Sequence, residues 1–207
     1  YFLVSLGCAK NTVDSTSMAL LMEESGYHAV EKPGQAQFLI VNTCGFIQSA
    51  REESLDELRG LASRKKRGQY LIAAGCLTER YRQQVIEQVP GLDGILGTRR
   101  WMDVLEVAEN LRQHSGGQPQ PLYNLPESPR VVMEYGGVLR SAVQGASAYL
   151  KIADGCRRLC AFCAIPLIKG STVSRTPQHI LDEARTLQAE GVKELILIAQ
   201  DTTDYGH

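Results

Sequence analysis

The sequence has no long hydrophobic run: no stretch approaches the roughly 18 consecutive apolar residues that a membrane-spanning helix needs. It also lacks the charged leader and apolar core of a secretory signal, so a cytoplasmic setting is expected. An excess of charge of either sign is missing too, with 22 Lys and Arg against 23 Asp and Glu and a formal net charge of −1. A chain balanced in this way has no global basic field, so bulk electrostatics do not point to nucleic acid and only a local basic patch could. Histidine is scarce: His28, His114, His179 and His207 show no ligand spacing, and all read as surface residues. Tryptophan occurs once, as Trp101, and its amphipathic stretch makes it a core residue. Gly7, Gly45 and Gly75 form no phosphate-cradling motif, so a nucleotide site built on them is rejected.

What is present suits a soluble α/β protein with a packed core: 207 residues, 43% of them hydrophobic, with 19 Gly against 8 Pro. Tyr1 is not an initiator Met and already lies in an apolar run, so the chain reads as cut at the front. Six cysteines would allow disulfides, but clustered cysteines in a reducing compartment are more often metal ligands or catalytic.

Three of them, Cys156, Cys160 and Cys163, form a CxxxCxxC triplet that offers three thiolates to one small volume and no fourth. An iron–sulfur cube held by four cysteines carries electrons, whereas a cube held by three keeps one iron open for a substrate. The other three, Cys8, Cys44 and Cys76, each follow a short apolar run that reads as a buried strand. Helical patterns lie between, over Asn11–Ser25 and Ser49–Ser63, and strands alternating with helices imply a parallel sheet. Ligands of such sheets gather outside the carboxyl ends of the strands, so these cysteines can converge although 36 and 32 residues separate them. A further unit follows, with helix Thr78–Gln88, strand Gly94–Leu96 and helix Trp101–Gln113.

The expected domain plan is therefore 1–113 for the first unit and 114–146 for a Pro- and Gly-rich connector, with candidate hairpin strands at Val131–Tyr135 and Gly137–Leu139. The start of a second unit follows over 147–207. That unit opens with strand Ala148–Ile152, which leads into the cysteine loop, then helix Pro177–Glu190 with Thr176 as N-cap and strand Glu194–Ala199. One βαβ unit cannot close a barrel, so the second domain is expected to continue past His207.

A cluster loop with an aromatic before its third cysteine, set after the first strand of a βαβ unit, resembles the radical S-adenosylmethionine (SAM) enzymes. More narrowly, Ser5-Leu6-Gly7-Cys8-Ala9-Lys10-Asn11, Val41-Asn42-Thr43-Cys44-Gly45-Phe46-Ile47, Ala74-Gly75-Cys76-Leu77 and Leu197-Ile198-Ala199-Gln200-Asp201-Thr202-Thr203 look like the methylthiotransferases. Gly-Cys-x-Lys-Asn, Thr-Cys-Gly-Phe-Ile and Ala-Gln-Asp-Thr-Thr are similar to the branch that modifies an aspartate of small-subunit ribosomal protein S-twelve. The resemblance implies an N-terminal parallel-sheet (Rossmann/flavodoxin-like) domain followed by the start of a partial radical SAM (β/α) barrel. It also implies two [4Fe–4S] clusters, one on Cys156, Cys160 and Cys163 that binds SAM at its open iron, and an auxiliary one on Cys8, Cys44 and Cys76. Reductive cleavage of SAM would give a radical that takes hydrogen from the aspartate β-carbon, the auxiliary cluster would carry or supply sulfur, and a second SAM would give the methyl. The implied partners are the ribosomal protein and a reducing donor such as flavodoxin or ferredoxin.

By the same resemblance Phe162 packs the SAM adenine, while Gln200 and Asp201 end a barrel strand where the methionyl amine is contacted; plain core and a simple turn are the competing roles. Lys169 stands where the family often has Arg, and Lys offers only a point charge. Arg175 is expected to be solvated or capping, Asn11 and Asn42 to form loops, and the run Arg64-Lys65-Lys66-Arg67 to close a helix. Two other functions compete: a tRNA methylthiotransferase with the same clusters, and a module that only binds zinc or passes electrons.

Overall fold

The computed structural model describes residues 1–113, 121–124, 135 and 137–206. Five strands, β1 (Phe2–Ser5), β2 (Phe38–Thr43), β3 (Tyr70–Gly75), β4 (Gly94–Gly97) and β5 (Leu122–Asn124), form one sheet, parallel throughout and ordered as in the chain. The apolar runs before Cys44 and Cys76 become β2 and β3; every residue of β2 is buried, as expected of a parallel strand covered on both faces. β5 lies past Gln113, so the first sheet takes in part of the expected connector. It is a three-residue edge strand placed between Pro121 and Pro126, and edges are where proline is tolerated beside a sheet.

The helices α1 (Ala9–Glu24), α2 (Gln48–Arg64), α3 (Cys76–Gln88) and α4 (Val104–Gln113) cover both faces. The stretch Thr98–Asp103 before α4, which carries Trp101, is a 3-10 helix rather than the first turn of α4. Side chains alternate along a strand, so Phe38 and Ile40 pack with Met18, Met22 and Val107 under α1 and α4, while Leu39 and Val41 pack with Leu55, Leu58 and Leu77 under α2 and α3. Full burial of one such leucine stabilises the fold by about 2 kcal/mol. α1 and α4 thus cover one face of the sheet and α2 and α3 the other, and the loops after β1, β2 and β3 meet at the carboxyl ends of the strands.

A second sheet joins β6 (Ser141–Gln144), β7 (Ser147–Lys151) and β10 (Glu194–Ile198) in the order β10-β7-β6. β7, α6 (Pro177–Ala189) and β10 make the expected parallel βαβ unit, and Thr176 caps α6 by accepting from the His179 amide. The hairpin is antiparallel β6–β7, turning at Gly145, whose φ is +64°; the expected strand Gly137–Leu139 does not form. Residues 131–134 of its expected first strand lie outside the described residues. Leu139 is unavailable for a hairpin because its carbonyl accepts a 2.8 Å hydrogen bond from Ser17 on α1, which draws the segment onto the first unit. Short elements that were not expected include the two-residue pair β8 (Ala153–Asp154) and β9 (Val173–Ser174), and α5 (Ile165–Lys169), which has Pro166 in its first turn and ends at Gly170 with φ +81°. Among the described residues no helix is long and apolar enough to cross a membrane.

Candidate functional site

Cys8 is the N-cap of α1, Cys44 follows β2, and Cys76 is the first residue of α3, so all three stand at the carboxyl ends of adjacent strands. Glycines let their loops close on one another. A Cβ on Gly7 would lie 2.7 Å from the Cys44 Cβ, and one on Gly45 would lie 2.7 Å from the Leu77 Cα. Gly75 has φ +101°, and a Cβ there would come within 2.4 Å of the Asn42 side-chain oxygen.

Asn11 and Asn42 act as clips between the strand ends rather than as ligands. Asn11 Nδ2 donates to the Leu6 and Thr43 carbonyls at 3.0 and 2.9 Å, and Asn42 Nδ2 donates to the Asn11 carbonyl and to Ser15 Oγ, both at 2.9 Å. Cys76 Sγ lies 3.7 Å from Asn11 Oδ1. Burial pushes the Cys44 thiol up, and burial pushes that of Cys76 up to about 11 against the pull of Lys169. Both are thus poor thiolates until something positive meets them.

The second group lies on the loop after β8. Cys156 is buried, Cys163 half-buried and Cys160 exposed. The Cys156 amide donates to the Gly170 carbonyl at 2.9 Å, and the Cys163 amide to the Cys160 carbonyl at 3.0 Å. Gly155, at φ +79°, has no room for a side chain, since a Cβ would meet the Ser171 carbonyl oxygen at 2.1 Å. Within the loop Arg157 pairs with Asp204 at 2.6 Å and Arg158 pairs with Asp201, so the turn after β10 clamps the cysteine loop from one side.

Between the two groups lies a buried charge network that sequence reading missed. Asp14 of α1 accepts from Arg140 and Lys151 on Oδ1, at 2.5 and 2.7 Å, and from Lys169 on Oδ2 at 3.1 Å. Asp154 accepts from Lys151 at 3.1 Å and from Lys169 at 3.3 Å. Arg140 also stacks over the Trp101 ring, 3.9 Å from its centroid. Burial would raise both carboxyls, but the cations outweigh it: Lys151, Lys169 and Arg140 hold Asp14 down to about 2 and Asp154 well below the carboxylate range. Burial draws Lys151 down, whereas the two carboxylates overcome burial at Lys169 and raise it.

Phe162 is 90% exposed, which removes plain core packing as its role and leaves its ring beside the cysteine loop open to a ligand. Gln200 donates to Asp154 at 3.2 Å, and Asp201 accepts from Thr203 and Arg158, so both are engaged inside the protein. Arg175 is not solvated: it is buried between α6 and β7, pairing with Glu183 of the helix at 2.7 Å and donating to the Lys151 carbonyl of the strand at 3.0 Å. His28 and His179 are exposed as expected, His114 and His207 lie outside the described residues, and Trp101 is core.

Among the described residues no three Cys, His, Asp or Glu side chains close on a point as for one metal ion. A multinuclear cluster differs from a single ion in spreading its cysteines over separate irons, and the donor set here suits it: six free cysteines in two groups, with soft sulfur as the ligand atom.

Residues 1–97 match a family model described as Uncharacterized protein family UPF0004. The fold is similar to that of a solved radical S-adenosylmethionine methyltransferase, TsrM, from Kitasatospora setae, with TM-score 0.61 and 14% identity over 97% of this chain and 47% of that one. Fold and cysteine loops together define the class as an α/β protein with three cysteines at the strand ends of a parallel sheet and three on a loop of a second unit. Curated relatives narrow it. Proteins named ribosomal protein uS12 methylthiotransferase RimO are 41% identical in Roseiflexus sp. (100% of this chain, 46% of the relative), 42% in Thermoanaerobacter sp. (99% and 46%) and 40% in Bdellovibrio bacteriovorus (98% and 44%). The chain belongs to this methylthiotransferase family, and it spans a little under half the length of the curated relatives it matches.

Proposed function

We propose that this chain carries the two cluster sites of a radical SAM methylthiotransferase that places a methylthio group on the β-carbon of an aspartate in ribosomal protein uS12. The observation that supports this most is the pairing of about 41% identity along the whole chain with cysteines grouped three and three on either side of one buried interface. In this reading residues 1–113 together with β5 form the auxiliary-cluster unit, and the chain from β6 onward begins the radical SAM unit.

Cys156, Cys160 and Cys163 would hold one [4Fe–4S] cluster with an iron left for SAM, and Cys8, Cys44 and Cys76 the other. When bound, cluster and SAM supply the reductive chemistry that opens an unactivated C–H bond, which side-chain acids and bases cannot do. The protein's own part is positional. Gly155 and the Arg157–Asp204 and Arg158–Asp201 pairs fix the SAM-side loop, the Asn11 and Asn42 clips fix the sulfur-side loops, and the exposed Phe162 ring offers an adenine a stacking face. Gln200 and Asp201 stand at the strand end that would face the methionyl amine. A low-potential donor such as flavodoxin or ferredoxin would supply the electron.

The test is anaerobic reconstitution of the full-length protein, which is then offered ribosomal protein uS12 or an adenosine-containing tRNA. About eight irons per chain and a methylthio mass gain on an aspartate of the ribosomal protein are expected. Modification of the tRNA alone would move the protein to the other branch, and one bound zinc with no response to SAM would remove it from the enzymes.

A further inference from the structure

Lys169 is among the largest side chains in the protein with almost no exposure, at 1%. Burial of an ammonium is costly unless it is paired, and Lys169 has two carboxylate partners from different parts of the fold: Asp14 on α1 at 3.1 Å and Asp154 on β8 at 3.3 Å. Each partner stands close to a cysteine group. Asp14 is six residues past Cys8 on the helix that Cys8 caps, and Asp154 is two residues before Cys156. Lys169 itself ends α5, six residues past Cys163. Ile168, its neighbour, packs on Cys76 together with Ala164, so the ammonium is held at the Cys76 end of the first group. Arg99 strengthens the same junction: it pairs with Glu79 at 2.8 Å and donates to the Leu167 carbonyl at 3.3 Å. The network also holds three cations, Arg140, Lys151 and Lys169, against two carboxylates, an imbalance that favours a further anion beside it.

We propose that Lys169 is a positioning residue for the two-centre reaction: its buried ammonium ties the Cys156–Cys160–Cys163 loop to the Cys8–Cys44–Cys76 group and is the counter-cation of the latter. This rests on the reading that both groups hold clusters. Net charge near a cluster sets its reduction potential, so a fixed cation beside Cys76 makes the auxiliary centre easier to reduce.

The experiment is a redox titration followed by electron paramagnetic resonance on the reconstituted full-length protein, with Lys169→Met, Lys169→Arg and Asp14→Asn. Lys169→Met should shift the auxiliary potential to more negative values while the SAM-side centre moves less, and Lys169→Arg should restore it. Asp14→Asn removes an anion and should shift it the other way, a reversal of sign that mere loosening of the fold would not produce. If Lys169→Met fails to hold its iron, Asp14→Asn decides: a positive shift supports the proposal, and no shift or a negative one overturns it. An unmoved auxiliary potential in an iron-loaded Lys169→Met protein would also overturn it. Wild-type protein that takes up no iron would instead defeat the methylthiotransferase reading.

Discussion

Cys76 Sγ lies 3.7 Å from Asn11 Oδ1, although 65 residues separate the two. Asn11 in turn holds the carbonyls of Leu6 and Thr43, so the cysteine after the third strand is registered against the loops that follow the first and second. Position within the first cysteine group is thus set by an amide that touches all three strand ends.

Replacement of Cys76 by Ala should therefore remove one centre and spare the other. Iron in the reconstituted full-length protein should fall from about eight to about four per chain. SAM cleavage should persist while methylthio product disappears. Loss of cleavage with the auxiliary cluster still present would contradict the division of labour between the groups.

Gly75→Ala should destabilise the fold by about 2–4 kcal/mol, since the backbone there is left-handed and the new Cβ would meet Asn42 Oδ1 at 2.4 Å and the Thr43 carbonyl at 2.5 Å. Gly68→Ala is the control: its φ is also positive, at +84°, but nothing lies within 4 Å. Comparison of denaturant midpoints separates strain alone from strain with collision. Equal losses at both sites would show that the strand-end clip is not crowded.

Phe162→Ala should leave stability within about 0.5 kcal/mol, because an exposed ring contributes little to the core. Its effect should fall on SAM affinity, read by calorimetry on reconstituted protein. An unfolding midpoint lowered as far as that of a core variant would show that the ring is structural.

The charge network fixes a pH dependence. Asp14 titrates near 2 in the folded protein, below the roughly 3.9 of an unfolded Asp, so its contribution to stability is present above about pH 4 and lost as pH falls through about 2. Thermal unfolding followed from pH 6 down to pH 2 should show a fall in that window that is shallower in Asp14→Asn, where Asp154 alone remains to be protonated in the network. The variant should be less stable at pH 6 by about 3–5 kcal/mol, because Arg140, Lys151 and Lys169 lose a shared partner.

Much of this fold was legible in the chain because burial is written as pattern. The apolar runs ending at Cys44 and Cys76 predict β2 and β3, and the spaced leucines predict α2 close to its bounds. The cysteine groups were legible for a similar reason, since strand ends of a parallel sheet face one side. The short pieces were not. β5 is three residues long beside proline, and α5, though Pro166 in its first turn is a helix-start signal, is too short at five residues to show a helical period. The ion network was hidden by composition itself: Asp14, Lys151 and Lys169 are residue types that belong on the surface, and only partners 137 and 155 residues away make them core. Arg175 was misplaced on the same grounds.

The contacts of Asp14 bear on how divisible the molecule is. Of its partners, Arg140 comes from the end of the connector and Lys151 and Lys169 from beyond it, and none of the four side chains is open to water. Severed from the rest, residues 1–113 would keep an acid with no base, and the remainder would keep bases short of an acid. The two units look modular in outline but share one set of ionic contacts, so a graft or a shuffled boundary between them would have to carry both sides of that set together.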